Sequence, residues 1–146
     1  YANTVTSPQT ERESILLENV QRRATKLVPS IAHLDYVGRL KELKLPSLKY
    51  RRRRGDMIET FKYTHNINKV DPSPLPMEQN STTRGHSYKL EKRRSNKSSR
   101  QKFFTMRVVN EWNSLPENIV NADNINTFKN RLDKHWSAHH YTTPNI

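Results

Sequence analysis

Two short apolar stripes near the carboxy-terminal end limit most strongly what this chain can fold into. Phe104, Val108 and Trp112 recur at four-residue spacing, and Leu115 carries the stripe on to Pro116. Ile125, Phe128, Leu132 and Trp136 keep nearly the same period after Asp123. Such spacing puts side chains on one face of a helix, whereas a strand would need strict alternation. Two amphipathic helices are therefore expected over residues 103–136, the first ended by Pro116 and the second capped by Asp123. Trp112 and Trp136 sit on these stripes, so both rings are expected to pack in a core rather than to stack on bases.

Three more helices are expected upstream. Ser7 and Pro8 suit the start of one running to about residue 28, with Glu11 and Glu13 at its positive end. Leu17, Val20, Ala24, Leu27 and Val28 make its apolar stripe, the side an amphipathic helix normally buries. Arg22, Arg23 and Lys26 fall largely off that stripe, and Glu18 stands where it can pair with Arg22 on the surface. Pro29 stops this helix. A short second one, capped by Asp35, presents Tyr36, Leu40 and Leu43, and Pro46 closes it. Ser47 caps a third, to about residue 66, whose apolar side is Tyr50, Met57, Ile58 and Phe61. Arg51, Arg52, Arg53 and Arg54 wrap around most of it, which leaves two readings: stems snorkelling past a core, or guanidiniums that grip phosphate.

Residues 67–83 are polar, with Pro72, Pro74 and Pro76, and read as a linker or long loop. His86, Tyr88 and Leu90 then alternate with Ser87, Lys89 and Glu91, as in an extended segment with one buried face. Residues 92–102 are basic and serine-rich, and the tail at 137–146 is polar and expected to fray. Leu, Ile, Val and Phe supply 31 of 146 residues, close to the ~20% below which chains stop folding, so the core should be modest. The expectation is a mainly α protein, a small bundle or bundles of about five helices with a proline-rich linker and a basic extended segment. Its parts are residues 1–66, 67–102, 103–136 and a disordered tail at 137–146.

Charge points to a partner. The net charge is +12, and residues 103–146 are balanced, with four basic and four acidic side chains. The excess lies wholly upstream: 13 basic against 7 acidic in residues 1–66, and 9 against 3 in residues 67–102. Residues 84–102 alone hold eight basic side chains against Glu91. That asymmetry suits a polyanion, RNA or DNA first, although a solubilising surface would look similar. Arg51, Arg52 and Arg53 are candidate phosphate contacts. Arg84, Lys89, Arg93, Arg94, Lys97 and Arg100 form a second group, with His86 and Tyr88 as rings that could stack on bases.

Little catalytic chemistry can be read here. No two aspartates adjoin, the carboxylates are scattered, and three glycines cannot build a phosphate-cradling loop. His135, His139 and His140 lack a third strong ligand nearby, so exposed histidines are expected rather than a metal site. With no cysteine there is no disulfide or thiolate site, which suits a reducing compartment. No run is long and apolar enough to cross a membrane.

Four blocks stand in a telling order: VQRRATKLVP (20–29), LPSLKYRRRRGDMI (45–58), TRGHSYKL (83–90) and residues 103–136, where FFTMRVVNEWNSLPENIV is followed by TFKNRLDKHW. Together they resemble the region downstream of the palm in non-LTR retrotransposon reverse transcriptases, nearest the jockey-like and chicken-repeat-like lineages. The resemblance implies a thumb-like and post-palm fragment of an RNA-directed DNA polymerase, read as cut at Tyr1 and not an enzyme by itself. It implies duplex-backbone contact by Arg22, Arg23 and Lys26, during target-primed reverse transcription. It also implies the missing palm as a partner, magnesium bound only in that palm, and an intracellular location in cytoplasm or nucleus. YANTVTSP resembles the palm-to-thumb junction, with Thr6 where the family has tryptophan, and the RGD at residues 54–56 belongs to its block rather than to cell adhesion. A stand-alone or relic helical module, binding RNA or protein, is the alternative.

Overall fold

The computed structural model describes residues 3–8, 10–79 and 84–144. Expectations for Tyr1, for Thr83, for the end of the proline-rich stretch and for the last two tail residues lie outside these, as does the Thr6 side chain. The protein is mainly helical: α1 (Asn3–Thr6), α2 (Glu11–Lys26), α3 (Tyr36–Glu42), α4 (Leu48–Thr64), α5 (Ser98–Gln101), α6 (Phe104–Asn113), α7 (Glu117–Val120) and α8 (Ile125–His135). Among the described residues the β structure is one isolated antiparallel bridge, Met77 to Leu90. The chain divides into a smaller unit, Ser7–Arg54 with Trp136–Ile146, and a larger one, Tyr1–Thr6 with Gly55–His135. The division therefore falls inside α4 and not at the proline-rich stretch.

In the smaller unit, α2 starts later than expected. Thr10, not Ser7, is its cap: the Glu13 amide donates to Thr10 Oγ1 at 3.1 Å and the Thr10 amide to Glu13 Oε2 at 3.2 Å. This reciprocal pair satisfies two free amides at once, and the T-x-x-E spacing that makes it is visible in the sequence.

The orientation of α2 is the larger correction. Leu16, Leu17, Val20 and Leu27 are 58, 42, 67 and 82% exposed, so the apolar stripe faces solvent. Ser14, Glu18 and Thr25 face inward instead. Glu18 is fully buried rather than paired with Arg22 at the surface. Its carboxylate accepts the Tyr36 hydroxyl at 2.7 Å and the Leu48 and Lys49 amides at 3.2 Å each. Free amides at a helix start carry partial positive charge, and a carboxylate satisfies them better than a leucine could. Arg39, also buried, donates to Thr25 Oγ1 at 3.2 Å and to the Leu34 carbonyl at 2.5 Å. Burial, and after it Glu18, pushes the Tyr36 phenol above the usual tyrosine range, so it remains a donor.

Other local expectations hold. Asp35 caps α3 by accepting the Gly38 amide at 2.8 Å, and Ser47 Oγ accepts the Tyr50 amide at 3.2 Å. The tail, by contrast, is folded as far as residue 144. The Ser47 amide donates to the His140 carbonyl at 3.0 Å, Ser47 Oγ donates to the Thr142 carbonyl at 2.7 Å, and the His140 ring lies 4.4 Å from that of Tyr50.

The larger unit has an ordinary apolar core. Met57 and Phe61 of α4 join Phe104, Val108 and Trp112 of α6 and Phe128 and Leu132 of α8, all buried. Phe61 stacks on Phe128 at 4.4 Å. Asn124, one residue after the expected Asp123, caps α8 by accepting the Thr127 amide at 2.8 Å. The proline-rich stretch is no free linker: Leu75 is 2% exposed, and the Glu91 amide donates to the Pro76 carbonyl at 2.9 Å. Asp56, the aspartate of the RGD, takes a two-pronged grip from Arg107 at 2.8 and 2.9 Å.

Candidate nucleic-acid interface

Residues 84–102 of the larger unit begin with an anchor. Gly85 adopts φ +134°, which disfavours any side chain, and turns the chain so that Lys89 Nζ donates to the Arg84 carbonyl. His86 is 2% exposed and its Nε2 meets the Trp112 carbonyl at 3.0 Å, while Trp112 Nε1 donates to the Tyr88 carbonyl at 2.8 Å. The Tyr88 ring stacks on His65 at 4.3 Å. His86 thus has no face open to a base and acts as a fastener for the segment, not as the stacking platform its setting among basic residues suggested. Tyr88 is half-buried, with one ring face on His65.

Asn113 completes the anchor. It accepts the Leu90 amide at 2.8 Å and donates to the Leu90 carbonyl at 2.9 Å, pairing with main chain as a neighbouring strand would. Nothing in the sequence singles Asn113 out, because a side chain that reads main chain leaves no periodic trace.

On either side of this anchor the segment comes to the surface. Arg84, Lys92, Arg93, Arg94, Lys97 and Arg100 are exposed, and none forms an ion pair with an acidic side chain among the described residues. Lys92, Arg93 and Arg94 border an open cleft of about 470 Å³ against α6. Arg107 also borders it, but its guanidinium is committed to Asp56 and to the Lys102 carbonyl at 3.1 Å. The cleft is therefore cationic at its rim, with no carboxylate lining it among the described residues.

The first group of candidates belongs to the smaller unit and is more divided. Arg23, Lys26 and Arg51 are exposed. Arg22 lies over the Tyr36 ring at 5.6 Å, Arg52 donates to Ser14 Oγ at 2.8 Å, and Arg53 covers the Trp136 ring at 4.7 Å. The arginine run therefore fastens its own unit through Arg52 and Arg53 and offers Arg51 to solvent. Among the described residues no group of three or more His, Asp or Glu side chains could hold a metal ion, and no helix is long and apolar enough to cross a membrane. No family model, curated protein or solved structure matches the chain.

Proposed function

We propose that this chain is a non-catalytic, nucleic-acid-binding region of the kind that follows the palm in a non-LTR retrotransposon reverse transcriptase. One observation carries the proposal: seven exposed cations, Lys102 included, stand without acidic partners among the described residues on a single segment fastened at Leu90 to α6. Held that way, they suit the phosphates of RNA or DNA, with Arg23, Lys26 and Arg51 as a second set. The open apolar stripe of α2 supports a further protein partner, the palm in this reading. The same stripe also favours a second reading, a helical protein-interaction module whose cations meet an acidic partner.

The test is binding of labelled RNA and DNA across a salt series. Neutralising Arg93, Arg94, Lys97 and Arg100 together should weaken affinity and flatten the log–log salt slope by up to about 4. Thermal stability should stay within about 0.5 kcal/mol, because the residues are solvated. Unchanged affinity would remove the phosphate-binding role, and failure of excess RNA to displace an acidic peptide would favour the second reading.

A further inference from the structure

We infer that the cleft between α6 and residues 92–96 receives one unpaired base of a single-stranded nucleic acid. This rests on the nucleic-acid reading above and adds to it a subsite and a preference for single strands.

A surface that only bound phosphate would need cations and little else. This one has a floor. Met106 and Val109, three residues apart on α6, lie on the same helical face and supply apolar surface, Val109 being 4% exposed. Arg107 stands between them in sequence, yet its charge is neutralised by Asp56, so the floor carries no free cation of its own. A thioether beside an aliphatic side chain is a polarisable, flat-tolerant surface for an aromatic ring.

The walls supply the other half of base recognition. Asn96 and Asn110 line the cleft, and no hydrogen bond to another side chain holds either carboxamide among the described residues. Each offers a donor and an acceptor side by side, the pattern that matches the edge of a base. Gln101 also lines it, but its amide is used at 2.7 Å on the Ser95 carbonyl, holding the outer wall in shape. Arg93 and Arg94 then stand at the rim, where the sugar–phosphate backbone of an inserted nucleotide would emerge. At about 470 Å³ the space falls within the range of roughly 300–1,000 Å³ typical of small-ligand clefts. A paired base cannot enter without leaving its stack, whereas an unpaired one can be splayed into such a site. An acidic peptide would use the rim and leave the floor and carboxamides unoccupied.

The experiment compares a labelled single-stranded oligonucleotide with a duplex of the same sequence, using the full chain. Asn110→Ala, exposed on α6, and Met106→Ala, checked by melting to be folded, should each lower single-strand affinity by about tenfold. Both should leave duplex affinity and the salt slope unchanged, since no phosphate contact is lost. Arg93→Gln with Arg94→Gln should flatten the slope for both ligands. If the arginine variants behave so but Asn110→Ala and Met106→Ala bind single strands like the unaltered chain, the base subsite is refuted and backbone binding survives. If neither ligand binds the unaltered chain, the nucleic-acid reading falls and this inference falls with it.

Discussion

Glu18 accepts three hydrogen bonds inside the smaller unit, from the Tyr36 hydroxyl and from two main-chain amides at the start of α4. Glu18→Ala would strand all three donors away from water, at a cost of about 3 kcal/mol or more. Glu18→Gln, which keeps one acceptor oxygen, should cost less, and urea denaturation of the two variants measures the difference. In the larger unit, His65 lies between Phe61 at 3.9 Å and Tyr88 at 4.3 Å. Burial holds its imidazole below the ordinary value of 6.5, against main-chain contacts with Phe61 and Val120 that pull the other way. On acidification the unfolded chain therefore takes up this proton before the folded one does. The stabilisation is complete above about pH 6.5 and is lost as pH falls through that value and the lower folded one. Melting temperature should drop as pH falls from neutrality through about 6.5 and below, and His65→Phe, which keeps a ring in the sandwich, should remove part of that drop. An unaltered pH profile in the variant would mean that other groups set it.

Among the elements, α6 and α2 show what periodicity conveys and what it does not. The four-residue repeat of Phe104, Val108 and Trp112 marks a helical face, and that face is buried. The stripe of Leu17, Val20, Ala24 and Leu27 marks a face just as well, yet in α2 it points outward. Periodicity identifies residues that share a side; burial is decided by what the rest of the unit offers, here the amides of α4 and the Tyr36 hydroxyl. Val20→Asp should therefore change stability by no more than about 0.5 kcal/mol. Trp112→Ala, in the core, should cost about 3–5 kcal/mol. A Val20→Asp variant that fails to fold would reverse this assignment. Caps divide the same way. Thr10 with Glu13 is legible from spacing, whereas choosing Asn124 over Asp123 needs the backbone geometry of the turn.

For the whole chain, apolar spacing conveys the helical class and the charge count the basic half, because both draw on many residues. The division into units is not legible. Pro72, Pro74 and Pro76 mark irregular backbone, and irregular backbone need not separate anything: Leu75 is buried and Pro76 accepts from Glu91. The boundary lies instead within α4, between Arg54 and Gly55, where the helix runs on through six residues with no apolar side chain. The basic segment was legible by charge alone, and its fastening at Asn113 was not.

That fastening has a kinetic consequence. Leu90 is pinned at one end and α6 begins at the other, so residues 91–102 form a closed loop rather than an arm. Its cations start near their bound positions, and a ligand has less chain freedom to quench on arrival. Asn113→Ala would open the loop while leaving every charge in place. The salt slope should stay as it was, and the complex should fall apart faster, which surface-captured oligonucleotide dissociation can follow directly. Equal lifetimes for both proteins would mean that the loop keeps its shape without the amide, and that the rest of its fastening suffices.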